Sequence, residues 1–323
     1  MTTVLWMTID RHPESLKALI RDHLTEAGYT FFEVSYDSIE QLASIPLEDI
    51  DAVLLAPARF FPLEYMDRLT KCVLMQIWSS GFDKFNIEDA KARNIPVANN
   101  HGSNAISVAE HTILLMLGVS RRIPEMHERV TSGNWAGNDH GMSSYSLSGK
   151  TLGIVGLGNI GTLVAKRAEA LGMAIIFSDP GISVSPEDHW SKVDFDTLLH
   201  SSDYITFHVH LSESTKGMID MKNIGSLARQ PFLINPSRAE LIDRDALIAA
   251  MQGNLIKGVA IDAHYDEPTN PEDPLFAFPN VLFSPHVAGS TLDSYRDTIE
   301  ACTQNIGRAV SDSTPLGTIT RTV

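Results

Sequence analysis

Cysteine is nearly missing from this chain. Only Cys72 and Cys302 occur among 323 residues. Two isolated cysteines make neither a disulfide framework nor a Cys-rich metal site, so no metal is expected and a reducing, cytoplasmic compartment is. Basic residues are also scarce: 25 Lys and Arg stand against 40 Asp and Glu, a formal net charge of −15. Nucleic-acid binding needs a basic patch, so that class of function is excluded, and anionic membranes are disfavoured. An acidic shell still permits an anionic substrate, because one enclosed Arg acts locally. No segment offers the roughly 18 uninterrupted apolar residues of a membrane span. The apolar start, Met1 to Ile9, soon meets Asp10, Arg11 and His12, and it lacks the basic head and long apolar stretch of a signal peptide.

What is present is an ordinary globular composition, 43% hydrophobic and 20% charged, on a chain long enough for two domains. Short apolar runs alternate with amphipathic stretches, the pattern of βαβ units on parallel sheets. Strands are expected at Thr3–Ile9, Thr30–Val34, Ala52–Ala56, Val73–Trp78 and Ile95–Ala98, with helices at Glu14–Ala27 and Leu63–Thr70. A long helix should start after Ser103 or Asn104 and run to about Val119. It is apolar nearly all round and should therefore be buried between elements. Residues Thr131–Ser148, rich in Gly, Ser and Asn, read as a loop or arm. A second alternating series follows, with strands at Leu152–Val155, Ala174–Ser178, Tyr204–His208, Phe232–Ile234, Val259–Asp262 and Val281–Ser284. Its helices are Ile160–Leu171 and Arg244–Met251, the latter N-capped by Asp243, and a final helix spans about Leu292 to Val310.

The strand at Leu152 runs into Gly156-Leu-Gly158-Asn159-Ile160-Gly161 and then a helix, a G-x-G-x-x-G turn in its required setting. Gly156 permits the tight turn, Gly158 lets a pyrophosphate approach the backbone, and Gly161 lets helix and strand pack closely. The helix N-terminus offers unpaired N–H groups and partial positive charge. Eighteen residues past Gly161, Asp179 ends the next strand, where it can accept from both ribose hydroxyls. A carboxylate there repels a 2′-phosphate, and Pro180 and Gly181 supply no compensating cation, so NAD is favoured over NADP.

Three polar residues follow at the expected carboxyl ends of later strands: Arg238, Glu267 and His286. Reduction of a keto acid needs these types. A guanidinium holds a carboxylate or keto oxygen with directed donors. A group that exchanges a proton near neutrality serves the oxygen while hydride reaches carbon. A carboxylate beside such an imidazole fixes its tautomer and favours its charged form. Taken singly, Arg238 also reads as a surface residue before a helix cap, Glu267 as a solvated turn acid and His286 as a packed loop histidine. The sequence alone does not bring the three together.

The motifs Ser107-Val-Ala-Glu110, Gly149 to Gly161, Ile234-Asn-Pro-Ser-Arg238-Ala-Glu-Leu-Ile-Asp243, Asp262 to Glu267-Pro268 and Ser284-Pro-His286-Val-Ala-Gly-Ser-Thr291 stand in one order. In them the chain resembles the D-isomer-specific 2-hydroxyacid dehydrogenases, from about Val73 to Asn305. The resemblance implies an α/β fold of two doubly wound parallel-sheet domains. A Rossmann cofactor domain, residues 103–289, would be inserted into a flavodoxin-like substrate domain, residues 1–102 and 290–323, with hinges near Gly102 and Gly289. It implies an NAD-dependent oxidoreductase acting on a small 2-keto or D-2-hydroxy acid. Arg238 would clamp substrate, His286 would be the acid/base and Glu267 its partner. The cofactor would meet Gly156, Gly158, Asn159, Ile160, Gly161, Asp179, His208 and, on the nicotinamide side, Asp262. The substrate would meet Ser80, Gly81, Asn104, Arg238 and His286, with the N–H groups of the Ser79–Asp83 turn receiving its carboxylate. The family also implies a homodimer built on residues 104–148.

The chain departs from the family pattern at Ala239, where Gly is usual, and at His210, which restores an N–H where Pro is usual. His101-Gly-Ser near the crossover is read as a polar loop. The competing reading is an NAD(H)-sensing, co-repressor-like binding module without fast turnover, against which the acidic charge speaks. A third, a relative of the adenosylhomocysteine hydrolases, needs lysine and cysteine motifs that the chain lacks.

Overall fold

The computed structural model describes residues 1–56, 60–135 and 138–319. Residues 136 and 137 of the expected 131–148 loop lie outside the described residues. The chain forms two compact units, Met1–Asn104 with Ser290–Val323, and Ala105–Gly289.

The first unit holds β1 (Thr3–Thr8), α1 (Glu14–Glu26), β2 (Thr30–Ser35), β3 (Ala52–Leu55), α2 (Leu63–Met66), β4 (Leu74–Ile77), α3 (Ile87–Ala92) and β5 (Val97–Ala98). All its strand pairs are parallel, in the order β2-β1-β3-β4-β5, the flavodoxin-like arrangement. Val4 to Met7 of β1 and all of β3 and β4 are buried, which is why they read as continuous apolar runs rather than alternating ones. On α1, Leu16, Ile20 and Leu24 recur every four residues and form one buried stripe.

The second unit begins with α4 (Ala105–Ser120) and α5 (Ile123–Thr131) and continues through β6 (Thr151–Val155), α6 (Asn159–Ala170), β7 (Ala174–Ser178), β8 (Ser191–Lys192) and α7 (Phe195–Ser201). Then come β9 (Tyr204–Phe207), β10 (Phe232–Asn235), α8 (Arg244–Gln252), β11 (Gly258–Ile261) and β12 (Val281–Phe283). The seven strands are parallel in the order β12-β11-β10-β9-β6-β7-β8. The order reverses between β6 and β9, the switch point at which doubly wound folds bind ligands. The last helix, α9 (Leu292–Val310), belongs to the first unit. It starts in a capping box between Thr291 and Ser294, and its Ile299, Cys302, Ile306 and Ala309 join the cluster that contains the α1 stripe.

The doubly wound α/β fold is as expected, with local differences. The helix expected at Leu63–Thr70 stops at Met66. The sequence reading missed α3, α5 and α7. In α5 Ile123, Met126 and Val130 recur at helical spacing, yet no residue of this nine-residue helix is buried. In α7 Phe195, Leu198 and Leu199 stand at helical spacing and pack on one core cluster, and Asp194 caps the helix by accepting from the Thr197 N–H, but the helix has only seven residues in which to show a period. The expectation that α4 is buried all round is wrong. Val108, Thr112, Leu115, Met116 and Val119 are buried, but Ile106, Leu114 and Leu117 are exposed at 54%, 60% and 41%. Helices on a sheet need only one covered side, and composition does not say whether the other has a neighbour. Among the described residues, no helix is long and apolar enough to cross a membrane, and no group of His, Cys, Asp and Glu could hold a metal ion.

Two glycines set how tightly the second unit packs. A Cβ on Gly258 would lie 2.6 Å from the Asn280 carbonyl oxygen and 3.2 Å from Val119, whereas one on Gly118 would meet only the end of the Leu282 side chain, at 2.6 Å. Backbone cannot step aside as a leucine methyl can. Gly258→Ala is therefore expected to lose about 1–3 kcal/mol, the usual scale of overpacking, and Gly118→Ala clearly less. Denaturant unfolding of the two variants checks this; equal losses would contradict it.

Candidate active site

The residues singled out in the second unit stand at the carboxyl ends of its strands. Across the sheet, His286 follows β12, Glu267 follows β11, Arg238 follows β10, His208 follows β9, the Gly156–Gly161 turn follows β6 and Asp179 follows β7. Parallel pairing therefore draws residues scattered over the chain to one edge, with the glycine turn and Asp179 on one side of the switch point and the three polar residues on the other.

The turn after β6 has the shape of a phosphate cradle. Gly156 has φ +88°, and a Cβ there would meet Val209 at 2.7 Å and the His208 carbonyl oxygen at 2.9 Å. A Cβ on Gly161 would come within 2.2 Å of the Gly156 carbonyl oxygen, so the helix can lie this close only on glycine. By contrast, a Cβ on Gly158 would meet nothing within 4 Å, leaving the outer side of the turn open to a ligand. Gly158 and Asn159 are exposed and Ile160 is half-buried at the start of α6, where first-turn N–H groups have no helical acceptor. The carboxylate of Asp179 accepts from the Leu157 N–H and the Gly181 N–H, both at 2.8 Å. It is thus tied to the glycine turn itself. His208 bonds Thr206 Oγ1 through Nε2 at 3.0 Å, and burial pushes its imidazole down to about 3, so the ring is neutral. Its Nδ1 is buried without a partner among the described residues, the kind of group that a bound ligand satisfies. The cradle, the acid at the end of β7 and this open nitrogen together fit a dinucleotide.

On the other side of the switch point, Glu267 Oε1 lies 2.7 Å from His286 Nδ1 and also accepts from the His264 N–H at 3.1 Å. His286 is 43% exposed and Glu267 26%. With Nδ1 given to the carboxylate, Nε2 is the nitrogen left to exchange a proton with a ligand. Arg238 is turned out of the sheet by Asn235, the last residue of β10, whose buried side chain accepts from the Ser237 N–H at 3.2 Å and donates to the Arg238 carbonyl at 2.7 Å. Ser237 anchors the same turn by donating to the Phe207 carbonyl at 2.6 Å.

Asp262, just after β11, is fully buried, and its carboxylate is engaged by the loop that carries His286. Oδ1 accepts from Ser284 Oγ at 2.6 Å and from the Val287 N–H at 2.9 Å, and Oδ2 accepts from the Ala288 N–H at 2.9 Å. Asn235, His264 and Ser284, which hold the site residues in place, had no role in the sequence reading. The one available signal was a polar residue closing an apolar strand.

Ser80, Gly81 and Asn104 lie in the first unit. Ser80 Oγ faces Asn100 Oδ1 at 2.7 Å and Asn104 Oδ1 at 2.8 Å, while Asn99 donates to the Ser80 carbonyl at 2.9 Å. Asn104 thus braces the Ser80 turn. The N–H groups of Ser80 and Gly81 donate to no acceptor among the described residues.

Residues 113–288 match the family model described as D-isomer specific 2-hydroxyacid dehydrogenase, NAD binding domain. The glyoxylate reductase of Thermofilum pendens is 31% identical over 282 residues, covering 86% of this chain and 83% of that protein. The glycerate dehydrogenase of Methylorubrum extorquens is 31% identical over 299 residues, 91% of this chain and 92% of that one. The structure of the NAD-dependent formate dehydrogenase from Staphylococcus aureus in complex with NAD superposes with a TM-score of 0.84 at 25% identity, covering all of both chains. The chain therefore belongs to the D-isomer specific 2-hydroxyacid dehydrogenases and is an NAD-dependent oxidoreductase of that family.

Proposed function

We propose that the chain interconverts a two- or three-carbon 2-keto acid and its D-2-hydroxy acid, with His286 as acid/base, Glu267 as its partner and Arg238 as substrate clamp. The observation that carries this reading is the 2.7 Å contact of His286 Nδ1 with Glu267 Oε1 on a half-exposed ring. The size of the substrate follows the names of the two relatives, one for glyoxylate and one for glycerate.

A nicotinamide dinucleotide held at the glycine turn would supply or take the hydride at the 2-carbon. In reduction, His286 Nε2 gives its proton to the keto oxygen while Glu267 holds the resulting ring in orientation; in oxidation the ring receives the hydroxyl proton. The Arg238 guanidinium would hold the substrate oxygens with directed donors. The N–H groups of Gly158, Asn159 and Ile160 would hold the pyrophosphate and Asp179 the ribose. Ser80 and Gly81 keep the carboxylate-binding role implied by the family, which their unspent N–H groups suit. Asp262, which also grips the loop of His286, would meet the nicotinamide side of the cofactor.

The proposal includes a homodimer. Ile106, Leu114, Leu117, Ile123 and Val130 of α4 and α5 are all exposed on the second unit, and a second copy is the occupant that the family suggests for residues 104–148. It also includes a cytoplasmic location, which suits two buried free thiols.

His286→Ala should lower kcat/KM for glyoxylate or hydroxypyruvate roughly 10²–10⁴-fold, the scale of a positioned general acid, while NADH still binds. Reduction consumes a proton, so wild-type reduction should slow as pH rises and oxidation slow as pH falls, and both limbs should vanish in His286→Ala. Steady-state rates against pH in both directions, with fluorescence titration of NADH, test this; an unaltered rate would refute the assignment. NADH should be preferred over NADPH, and Asp179→Ala should narrow that preference; equal kcat/KM for both cofactors in the wild type would contradict the role of Asp179. Leu114→Glu should turn a dimer into a monomer in light scattering, and a wild-type monomer would remove the proposed assembly.

A further inference from the structure

We propose that His111, on α4, is a positioning residue for the proton transfer, acting on His286 through Ser284 and Asp262. This inference rests on the assignment of His286 above and adds a residue that touches neither substrate nor reacting atoms.

The argument begins with an unfavourable backbone. His286 has φ +54°, in the left-handed region where a residue with a Cβ is strained by about 1–3 kcal/mol. The loop around it must therefore be held from outside. Its own N–H donates to the Asp262 carbonyl at 2.8 Å. The next two N–H groups, of Val287 and Ala288, go to the two oxygens of the Asp262 carboxylate at 2.9 Å each. Asp262 thus fixes three consecutive peptide units, and the direction in which the His286 ring leaves the loop follows from where that carboxylate sits.

Asp262 is itself fixed from the far side. Ser284 Oγ lies 2.6 Å from Asp262 Oδ1, and His111 Nε2 lies 2.9 Å from Ser284 Oγ. A hydroxyl has one hydrogen. A carboxylate can only accept, so that hydrogen goes to Asp262 and the Ser284 oxygen accepts from His111 Nε2–H. His111 therefore carries its proton on Nε2, and the chain His111→Ser284→Asp262 has one direction. His111 Nε2 also lies 3.6 Å from Asp262 Oδ1. The His111 side chain is 16% exposed and the Asp262 side chain is fully buried, so water cannot readily replace a lost donor. On the other side of the loop, His264 Nε2 sits 2.9 Å from the Ser284 carbonyl. Ser284 is thus pinned by two histidines at opposite polar groups, and one of them leads to the carboxylate that aims His286. All these residues lie in the second unit, on α4 and on the segments after β11 and β12.

The test measures kcat and KM for the keto acid, NADH affinity and melting temperature for His111→Ala, His111→Gln, Ser284→Ala, Ser284→Thr and the double alanine variant, with His286→Ala in parallel. Misplacing a reacting group by about 1 Å costs up to about 10²-fold. His111→Ala and Ser284→Ala should each lower kcat roughly 10- to 100-fold on that scale, with NADH affinity and the KM for keto acid little changed. His111→Gln, which keeps a side-chain N–H donor, and Ser284→Thr, which keeps the hydroxyl, should recover most of the rate. The double variant should be no slower than the slower single one, because both residues belong to one chain of contacts. Unchanged kcat in His111→Ala, failure of Gln to restore it, or losses that multiply in the double variant would each overturn the proposal. Should His111→Ala not fold, His111→Leu fills the space without a donor and serves in its place against His111→Gln. If His286→Ala is inactive while His111→Ala turns over normally, only the role of His111 falls. If His286→Ala itself turns over normally, the reading of the site falls with it.

Discussion

Parallel pairing is the constraint on which the site depends. In the seven-stranded sheet every carboxyl end points to one edge, so each residue placed at a strand end is delivered to the same rim. The order of strands then sorts the chemistry. Asp179 after β7 and the glycine turn after β6 lie on one side of the reversal. Arg238, Glu267 and His286, after β10, β11 and β12, lie in succession on the other. An antiparallel partner among these strands would have sent one of the three residues to the opposite edge. The buried faces follow from the same geometry, since β9, β10 and β11 are covered throughout and consist almost wholly of apolar residues.

The loop that carries His286 is held by hydrogen bonds to a buried charge. A carboxylate out of water costs several kcal/mol unless donors surround it. Asp262 has three close donors, and hydrogen bonds to charged groups contribute about 1.5–3 kcal/mol each. Those donors hold in place both the buried carboxylate and the left-handed backbone at His286. Under the proposed mechanism, a serine hydroxyl and a histidine on a neighbouring helix would act through this carboxylate on a ring they do not touch.

The cofactor side is built on a different economy of space. Gly156 and Gly161 are required by close approach of backbone to backbone, and Gly158 faces outward where nothing fills the room. Asp179, the residue that would meet a ribose, also receives the Leu157 N–H of the same turn. The acid that would discriminate between cofactors therefore helps to shape the cradle.

The sequence by itself determined a good deal. The alternation of apolar runs with amphipathic stretches gave the doubly wound class, because buried parallel strands are apolar on both faces and their helices on one. The glycine turn with Asp179 pointed to a dinucleotide, because glycine spacing, strand and helix are all local. Short helices such as α5, of nine residues, and α7, of seven, were not legible, because so few turns show little of a period, and neither was the open side of α4, since exposure depends on neighbours that no helix encodes. The tertiary structure alone set Glu267 against His286, nineteen positions away. It also decided that Asp262 grips a loop and that His111, one of several polar residues of α4, reaches Ser284 across 173 positions. Local pattern specifies which elements form. Contacts between the ends of different strands are made only when the sheet has assembled in its order.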